Sequence, residues 1–278
     1  MGIHEEARHR HRRVRCPGSG VLAAPAAQAA SPALTFAGVT VNKGKAIVVG
    51  TTAKVKVPVT YTLTRPADLT IDYKSNFAGV LIYRGSLKDQ DNSIEPDAAP
   101  VCTTKATTST TVTESCTETL VIDRGTASTS RGRGTWKPPV LRPPRPGPRR
   151  LRRRDQPRVR LLDVGRLGTP KVQRAAKVTV NATPEPARAG KTLTVKGKLT
   201  RANWGSGTYT GYAGQKVTLQ FKAKGTSTYK TLKTVTTGTG GALSTTTKAT
   251  KSGAYRFVFA GTSTTAAKSA VGDYVEVK

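Results

Sequence analysis

Two cysteines have the spacing of a local disulfide. Cys102 and Cys116 bracket a Thr-rich stretch that is typical of a hairpin or a loop. A bridge that closes about 15 residues would stabilise the fold by roughly 3 kcal/mol, chiefly by restricting the unfolded chain. We predict this disulfide, with two free thiols as the alternative, and the bridge requires an oxidising compartment. Cys16 is left over, and we assign it no role.

Histidine is too scarce for the common hydrolytic sites. All three histidines lie in the first eleven residues, and catalytic triads and zinc sites depend on imidazole groups. A hydrolase that uses a pair of carboxylates needs no histidine, but residues 176–278 contain only Glu185, Asp273 and Glu276. The sequence therefore predicts a protein that is not an enzyme, with no catalytic residues and no cofactor.

An acidic run could hold a hard cation. Asp89, Asp91, Glu95 and Asp97 supply carboxylate oxygens of the kind that Ca²⁺ prefers. The run lacks the glycine and the spaced glutamate of an EF-hand loop. The prediction is therefore a solvated acidic loop, and a calcium site is the alternative.

Aromatic side chains gather in one Gly-rich segment. Trp204 lies in the sequence N-W-G-S-G, and Tyr209 and Tyr212 follow closely. Loops at the end of a β-sandwich often bind ligands, so these three residues are candidates for contact with a carbohydrate or a peptide. The alternative is that Trp204 covers the core.

The net charge of +30 is unevenly distributed along the chain. Residues 18–130 hold ten basic and nine acidic residues. In contrast, residues 131–170 hold thirteen basic and two acidic residues, and residues 176–278 hold sixteen basic and three acidic residues. We expect the lysines of the last segment to form a solubilising face, and the alternative is that they attract anionic cell-wall polymers or polysaccharide in a salt-sensitive manner. The Arg-rich tract could bind phosphate backbones. It has no interleaved aromatic residues, so we do not expect nucleic acid as a partner.

The elements that carry these residues are predicted to be strands. Thr and Val are abundant, and both fit a pleated strand better than a helix. Apolar residues occupy every second position from Val55 to Leu63, which predicts a strand with one buried face. Pro58 within that strand predicts an edge position or a bulge. Further strands of the first half are predicted at 34–41, 46–49, 69–73 and 80–83.

The last hundred residues give a clearer pattern. Seven short strands are predicted, at 177–181, 192–200, 216–223, 229–236, 242–247, 255–260 and 274–277. That number, with turns between the strands, is expected of an immunoglobulin-like sandwich. The segment S-G-A-Y-R, which opens the penultimate strand, is echoed by R-G-T-W-K at 133–137. The first half would then stop inside its own penultimate strand and expose a sheet edge.

Three segments of the second half carry a family resemblance. They are V-T-V-N-A-T-P-E-P-A-R-A-G-K-T-L-T-V-K-G-K-L-T, G-Q-K-V-T-L-Q-F and S-G-A-Y-R-F-V-F-A-G-T. They resemble the Ig-like modules of secreted actinobacterial proteins, those of Streptomyces in particular. The resemblance covers residues 175–278 well, and residues 31–137 are similar only in style. It implies a fold and a secreted location, and it carries over no active site.

Two segments do not read as ordinary protein sequence. Ala27-Gln28-Ala29 is typical of a signal-peptide cleavage site, yet no apolar stretch precedes it. With GC-rich codons, a shift of one base turns residues 5–20 into K-K-R-A-T-A-T-A-V-S-G-A-L-A-L, a basic and then an apolar segment. The same shift from Val140 turns the Arg/Pro tract into ordinary secreted composition. We hypothesise that residues 1–18 and 138–167 are read out of frame, and a genuine Arg/Pro-rich linker is the alternative.

The sequence thus predicts an all-β chain of two immunoglobulin-like β-sandwich domains. Residues 1–30 form a degenerate signal peptide, 31–137 an Ig-like domain that is incomplete, 138–170 a disordered Arg/Pro-rich segment and 171–278 a second Ig-like domain. The expected function is a secreted or cell-wall-associated structural or binding protein. The alternatives are a carbohydrate-binding module and a cationic binder of polyanions or nucleic acid.

Overall fold

The computed structural model describes residues 34–71, 78–84, 93–128, 136–137, 140–142, 160–162 and 169–278. The predicted leader lies outside these residues. Most of the predicted Arg/Pro segment also lies outside them, so the hypothesis that it is read out of frame stays a prediction. The described elements are strands, apart from one five-residue helix and short 3-10 turns, which confirms the all-β prediction.

Among the described residues, the first of two sandwiches, called here the N-terminal sandwich, comprises twelve strands and one short helix. They are β1 (Thr35–Val41), β2 (Ile47–Val49), β3 (Val55–Pro66), β4 (Gly79–Val80), β5 (Ile82–Arg84), β6 (Ser93–Ile94), β7 (Val101–Thr107), β8 (Thr111–Ile122), α1 (Arg124–Ser128), β9 (Trp136–Lys137), β10 (Val140–Arg142), β11 (Arg160–Leu162) and β12 (Val172–Arg174). One antiparallel sheet has the order β1-β3-β8-β7. In immunoglobulin terms these are strands A, B, E and D, which form one sheet of a constant-type domain.

The second sheet of this sandwich is assembled from shorter strands. β5 lies between β6 and β9, and β10 lies between β4 and β11. A single residue separates β4 from β5, so both are parts of one strand and the two three-stranded sets form one continuous sheet. In immunoglobulin terms β6 is strand C′, β4 and β5 are strand C, and β9 and β10 are strand F, with β11 beside F. The pairing of β9 with β5 agrees with the predicted echo between the two penultimate strands. β10 and β11 lie inside 138–170, the segment predicted to be a linker.

Strand β3 shows the alternation that the sequence predicts. Val57, Val59 and Leu63 point inward and are almost fully buried. The strand is interior, between β1 and β8, so the edge position predicted from Pro58 is wrong for the strand as a whole. β1 ends opposite Val59, however, so Pro58 lies one residue past that pairing, where β3 has a local free edge. The strand predicted at 69–73 is absent as far as Ile71, its last described residue.

The C-terminal sandwich comprises ten strands. They are β13 (Ala176–Val178), β14 (Asn181–Thr183), β15 (Thr192–Asn203), β16 (Thr208–Gly211), β17 (Lys216–Ala223), β18 (Lys230–Thr236), β19 (Ala242–Lys248), β20 (Gly253–Phe259), β21 (Lys268–Ser269) and β22 (Asp273–Val275). All seven predicted strands have a counterpart here, and β16 and β21 were not predicted. In one sheet β15 pairs with β13, β14, β16 and β19. In the other, the order is β18-β17-β20, with β22 also on β20.

This arrangement is that of an immunoglobulin-like sandwich. β13 and β14 are strand A, β15 is B, β17 and β18 are C and C′, and β19, β20 and β22 are E, F and G. Apolar side chains from both sheets meet in one core, in which Leu193, Leu219 and Phe257 are inaccessible to solvent. The fold prediction for this half is confirmed.

Strand β12 closes the N-terminal sandwich. It runs parallel to β2, with Val172 opposite Ile47. The C-terminal sandwich has the same feature in shorter form, because Ala187 and Val277 make a parallel bridge between the chain after strand A and the chain after strand G. By analogy with the C-terminal sandwich, β12 takes the place of the end of strand G in the N-terminal sandwich, which is the part that pairs with β2. The predicted boundary at residue 171 therefore lies just before a strand that belongs, by pairing, to the first sandwich.

Candidate functional site

The predicted disulfide is formed within one sheet. Cys102 in β7 lies directly opposite Cys116 in β8, and the two sulfur atoms are bonded. The stretch between them is a β-hairpin, as predicted. Cys116 is 1% exposed and faces the core, so the bridge ties the outermost strand of the sheet to its interior.

The acidic run is described only in part. Asp89 and Asp91 lie outside the described residues, while Glu95 and Asp97 are exposed on either side of Pro96. Calcium binding at these four residues stays a prediction.

The candidate Trp204 lies in the junction between the sandwiches. It follows the end of β15, is 8% exposed and packs with the core residues of the N-terminal sandwich. Its indole Nε1–H donates a hydrogen bond to the Val49 carbonyl oxygen at 3.2 Å. The Arg174 guanidinium lies 4.6 Å from the ring centre, and the Arg124 Nη1 donates to the Trp204 carbonyl oxygen at 3.1 Å. Trp204 therefore covers a core, that of the neighbouring sandwich.

The two tyrosines are divided between the cores. Tyr209 packs against the N-terminal core and Tyr212 against the C-terminal core. Each ring is also covered by a cation, with Lys177 Nζ 4.0 Å from the Tyr209 centroid and Arg201 Cζ 4.0 Å from that of Tyr212. The burial of Trp204 and these contacts count against a shared stacking surface. Carbohydrate binding by the three aromatics stays a prediction.

The N-terminal sandwich also contains a buried carboxylate that the sequence patterns did not single out. Glu118 in β8 is 6% exposed; its Oε1 accepts a hydrogen bond from Val80 N–H at 2.7 Å, and its Oε2 accepts one from the Tyr61 hydroxyl at 3.4 Å. Burial raises the pKa of Glu118 to about 7, against the opposing effect of these two hydrogen bonds. Period-two alternation could have found it, because Glu118 shares the inward face of β8 with Cys116 and Leu120.

The carboxylates of the C-terminal sandwich lie at one edge. Asp273 in β22 accepts a hydrogen bond from Ala182 N–H in β14 at 2.7 Å. Glu185 is next to Asp273, and burial and then the Asp273 charge raise the pKa of Glu185. Glu276 follows β22, with an oxygen 3.8 Å from Lys278 Nζ. These three are all the carboxylates of residues 176–278.

The opposite edge is basic. We call the exposed lysines of β17, β18 and β19 the basic edge; they are Lys216, Lys230, Lys233 and Lys248. β18 is three strands from β22 in the same sheet, which is roughly 14 Å at about 4.8 Å per strand. That exceeds the screening length of about 8 Å at physiological ionic strength. The β18 lysines of the basic edge, Lys230 and Lys233, therefore lie beyond the screening length from β22 and its Asp273.

Comparisons with known proteins give little beyond the fold. No protein-family model matches the chain, and no curated protein matches it. Among solved structures, it is similar to the ectodomain of mouse nectin-like molecule 4 (Ig1–Ig3), with 12% identity and a TM-score of 0.22. The match covers 88% of this chain and 66% of that chain. No helix in the described part of the chain is long and apolar enough to cross a membrane. The immunoglobulin-like assignment rests on the strand order itself.

Proposed function

We propose that this chain is a secreted or cell-wall-associated binding protein, without enzymatic activity, that holds anionic polymers through its C-terminal sandwich. The observation that carries the proposal is the separation of charge on this sandwich. Its carboxylates are grouped at the β14–β22 edge, and the β18 lysines of the basic edge lie beyond the screening distance from β22. The Cys102–Cys116 disulfide fits an extracellular protein.

The physical basis of such binding is long-range attraction. Lysine ammonium groups on exposed strands can meet a polyanion without a precise fit. The interaction must weaken as salt rises, because counterions screen both partners.

The test is retention of the full chain on immobilised polygalacturonate and polyglycerol phosphate, with dextran as the neutral control. We expect retention on both polyanions at low salt, release as NaCl rises and no retention on dextran. A chain that passes through both polyanion columns at low ionic strength would refute the proposal.

The Arg-rich tract requires a matched control, since it carries much positive charge of its own. In one variant residues 143–159 become a neutral Gly-Ser segment; in another the four basic-edge lysines become Gln. We expect the first variant to be retained and the second to elute early. The reverse result would assign the binding to the tract, in favour of the cationic alternative.

A further inference from the structure

The C-terminal sandwich has an open cleft at its basic edge. A cavity of about 460 Å³ lies between β18 of one sheet and β19 of the other. That volume lies within the range of small-ligand pockets, about 300–1,000 Å³. Its lining is aromatic and apolar on one side and rich in threonine and lysine on the other: Thr192, Phe221, Leu232, Lys233, Thr246, Thr247, Lys248, Thr250 and Tyr255.

The cleft is open because one strand has no counterpart. In the N-terminal sandwich, β7 pairs with β8 and covers that side of strand E. In the C-terminal sandwich the equivalent strand β19 pairs with β15, and no described strand pairs with its other side. β18 is likewise the outermost strand of its sheet. Two free edges therefore border the cavity.

An irregularity in β18 turns side chains toward the cleft. Leu219 pairs with Lys233, but Gln220 pairs with Thr231, so Leu232 is an extra residue. A bulge of this kind redirects side chains and is common beside binding sites. Lys233 spans the cleft, because its Nζ donates to the Thr246 carbonyl oxygen at 2.6 Å. Leu232 remains 41% exposed.

The floor of the cleft contains a tyrosine hydroxyl that no described residue hydrogen-bonds. The rings of Phe221 and Tyr255 lie 4.7 Å apart. Tyr255 is 2% exposed and lines the cavity, and its hydroxyl makes no hydrogen bond with another described residue. The hydroxyl keeps some exposure to solvent, so a ligand in the cleft can reach it.

These groups together match one class of ligand. The apolar floor suits the C–H face of a sugar ring, the Thr and Tyr hydroxyls suit sugar hydroxyls, and Lys233 and Lys248 suit carboxylates. An acidic peptide would also use the charges, the strand edges and the hydroxyls, but an Asp- or Glu-rich chain has no ring with a C–H face to lie over the apolar floor.

We propose that the cleft between β18 and β19 binds an acidic polysaccharide of the uronic-acid type. This inference rests on the proposed function and names its ligand class and its site. The sugar rings lie over Phe221 and Leu232, their carboxylates meet Lys233 and Lys248, and a ring hydroxyl bonds to Tyr255.

Calorimetric titration of the full chain with oligogalacturonate tests the site. Two charge-matched pairs from the same basic edge are compared: K233Q/K248Q, which line the cavity, and K216Q/K230Q, which do not. We expect the first pair to weaken binding by about tenfold, the effect of about 1.4 kcal/mol, and the second to weaken it much less. If both pairs weaken oligogalacturonate binding equally, the cleft is not the binding site, although the proposed function still holds. No binding of any polyanion by the wild-type chain would overturn both.

A second comparison separates sugar recognition from charge. Y255F removes only the hydroxyl, and polyglutamate supplies carboxylates without sugar rings. We expect Y255F to weaken oligogalacturonate binding and to leave polyglutamate binding unchanged. Equal affinity of the wild-type chain for both polymers would refute the sugar ligand and indicate an acidic peptide. If Y255F does not fold, as judged by circular dichroism, the exposed L232S replaces it with the same expectation.

Discussion

The N-terminal sandwich buries an ionisable residue and takes part of its covering from its neighbour, whereas the C-terminal sandwich closes an apolar core with its own strands. In the first, Glu118 lies between the sheets, and Trp204 comes from the second sandwich to cover the core. In the second, every residue of the core cluster lies within 176–278. The same topology therefore occurs once with a core that a neighbouring sandwich helps to cover and once with a core formed by its own residues.

The edges of the two sandwiches also differ. β7 covers strand E of the N-terminal sandwich and is fixed there by the disulfide. The matching edge of the C-terminal sandwich is open and lined by lysines and threonines. The comparison suggests a division of roles in which one edge is closed for stability and the other is open to a ligand.

The largest effect is expected at the junction. Trp204→Ala should lower the free energy of unfolding of the N-terminal sandwich by about 3–5 kcal/mol, because it removes a buried indole from that core. Hydrogen exchange followed by mass spectrometry should show faster exchange in β2 and β3, with β17 and β20 unchanged. Tyr274→Ala, at a 46% exposed position, is the control and should have little effect. Faster exchange confined to the C-terminal strands would contradict the placement of Trp204.

The next effect concerns pH. Burial raises the pKa of Glu118 to about 7 in the folded chain, above the ordinary value of 4.5, so folding favours the protonated form. This stabilisation is complete below about pH 4.5 and is lost as pH rises to about 7, by an amount on the order of 3 kcal/mol. Urea unfolding of the N-terminal sandwich should therefore become easier across this range.

Glu118→Gln should flatten that pH dependence, because glutamine stays neutral and can still accept the Val80 hydrogen bond. Glu95→Gln, at an exposed position, is the matched control and should retain the wild-type profile. If the Glu118→Gln and wild-type profiles coincide, the buried carboxylate does not set the pH dependence.

The disulfide should have the smallest effect of the three. Cys102→Ser with Cys116→Ser should destabilise the N-terminal sandwich by about 2–3 kcal/mol, since the hairpin is short and already paired. Thermal unfolding with and without reductant gives the same comparison in the wild-type chain. A loss of stability in the C-terminal sandwich, which contains no cysteine, would contradict this account.

The sequence predicted the elements whose signals are local. Period-two alternation located the seven main strands of the second half, and the cysteine spacing identified the disulfide. The pairing of β2 with β12 was beyond such reasoning, because its partners lie more than a hundred residues apart and each is only three residues long. Trp204 was noted for its loop, but local sequence does not say which core a loop covers.

The cleft was missed for a related reason. The inward positions of β19 after Leu243 are Thr245 and Thr247, and this change from apolar to hydroxyl side chains is visible in the sequence. The bulge in β18 and the absence of a covering strand become evident only from the pairing of both sheets.

The most direct test of the comparison is an NMR titration of residues 175–278, expressed alone, with oligogalacturonate. The account predicts a well-dispersed spectrum, shifts confined to β17–β20 and the same affinity as the full chain. An unfolded fragment would contradict the self-contained C-terminal sandwich. A folded fragment that does not bind, although the full chain does, would place the binding surface elsewhere.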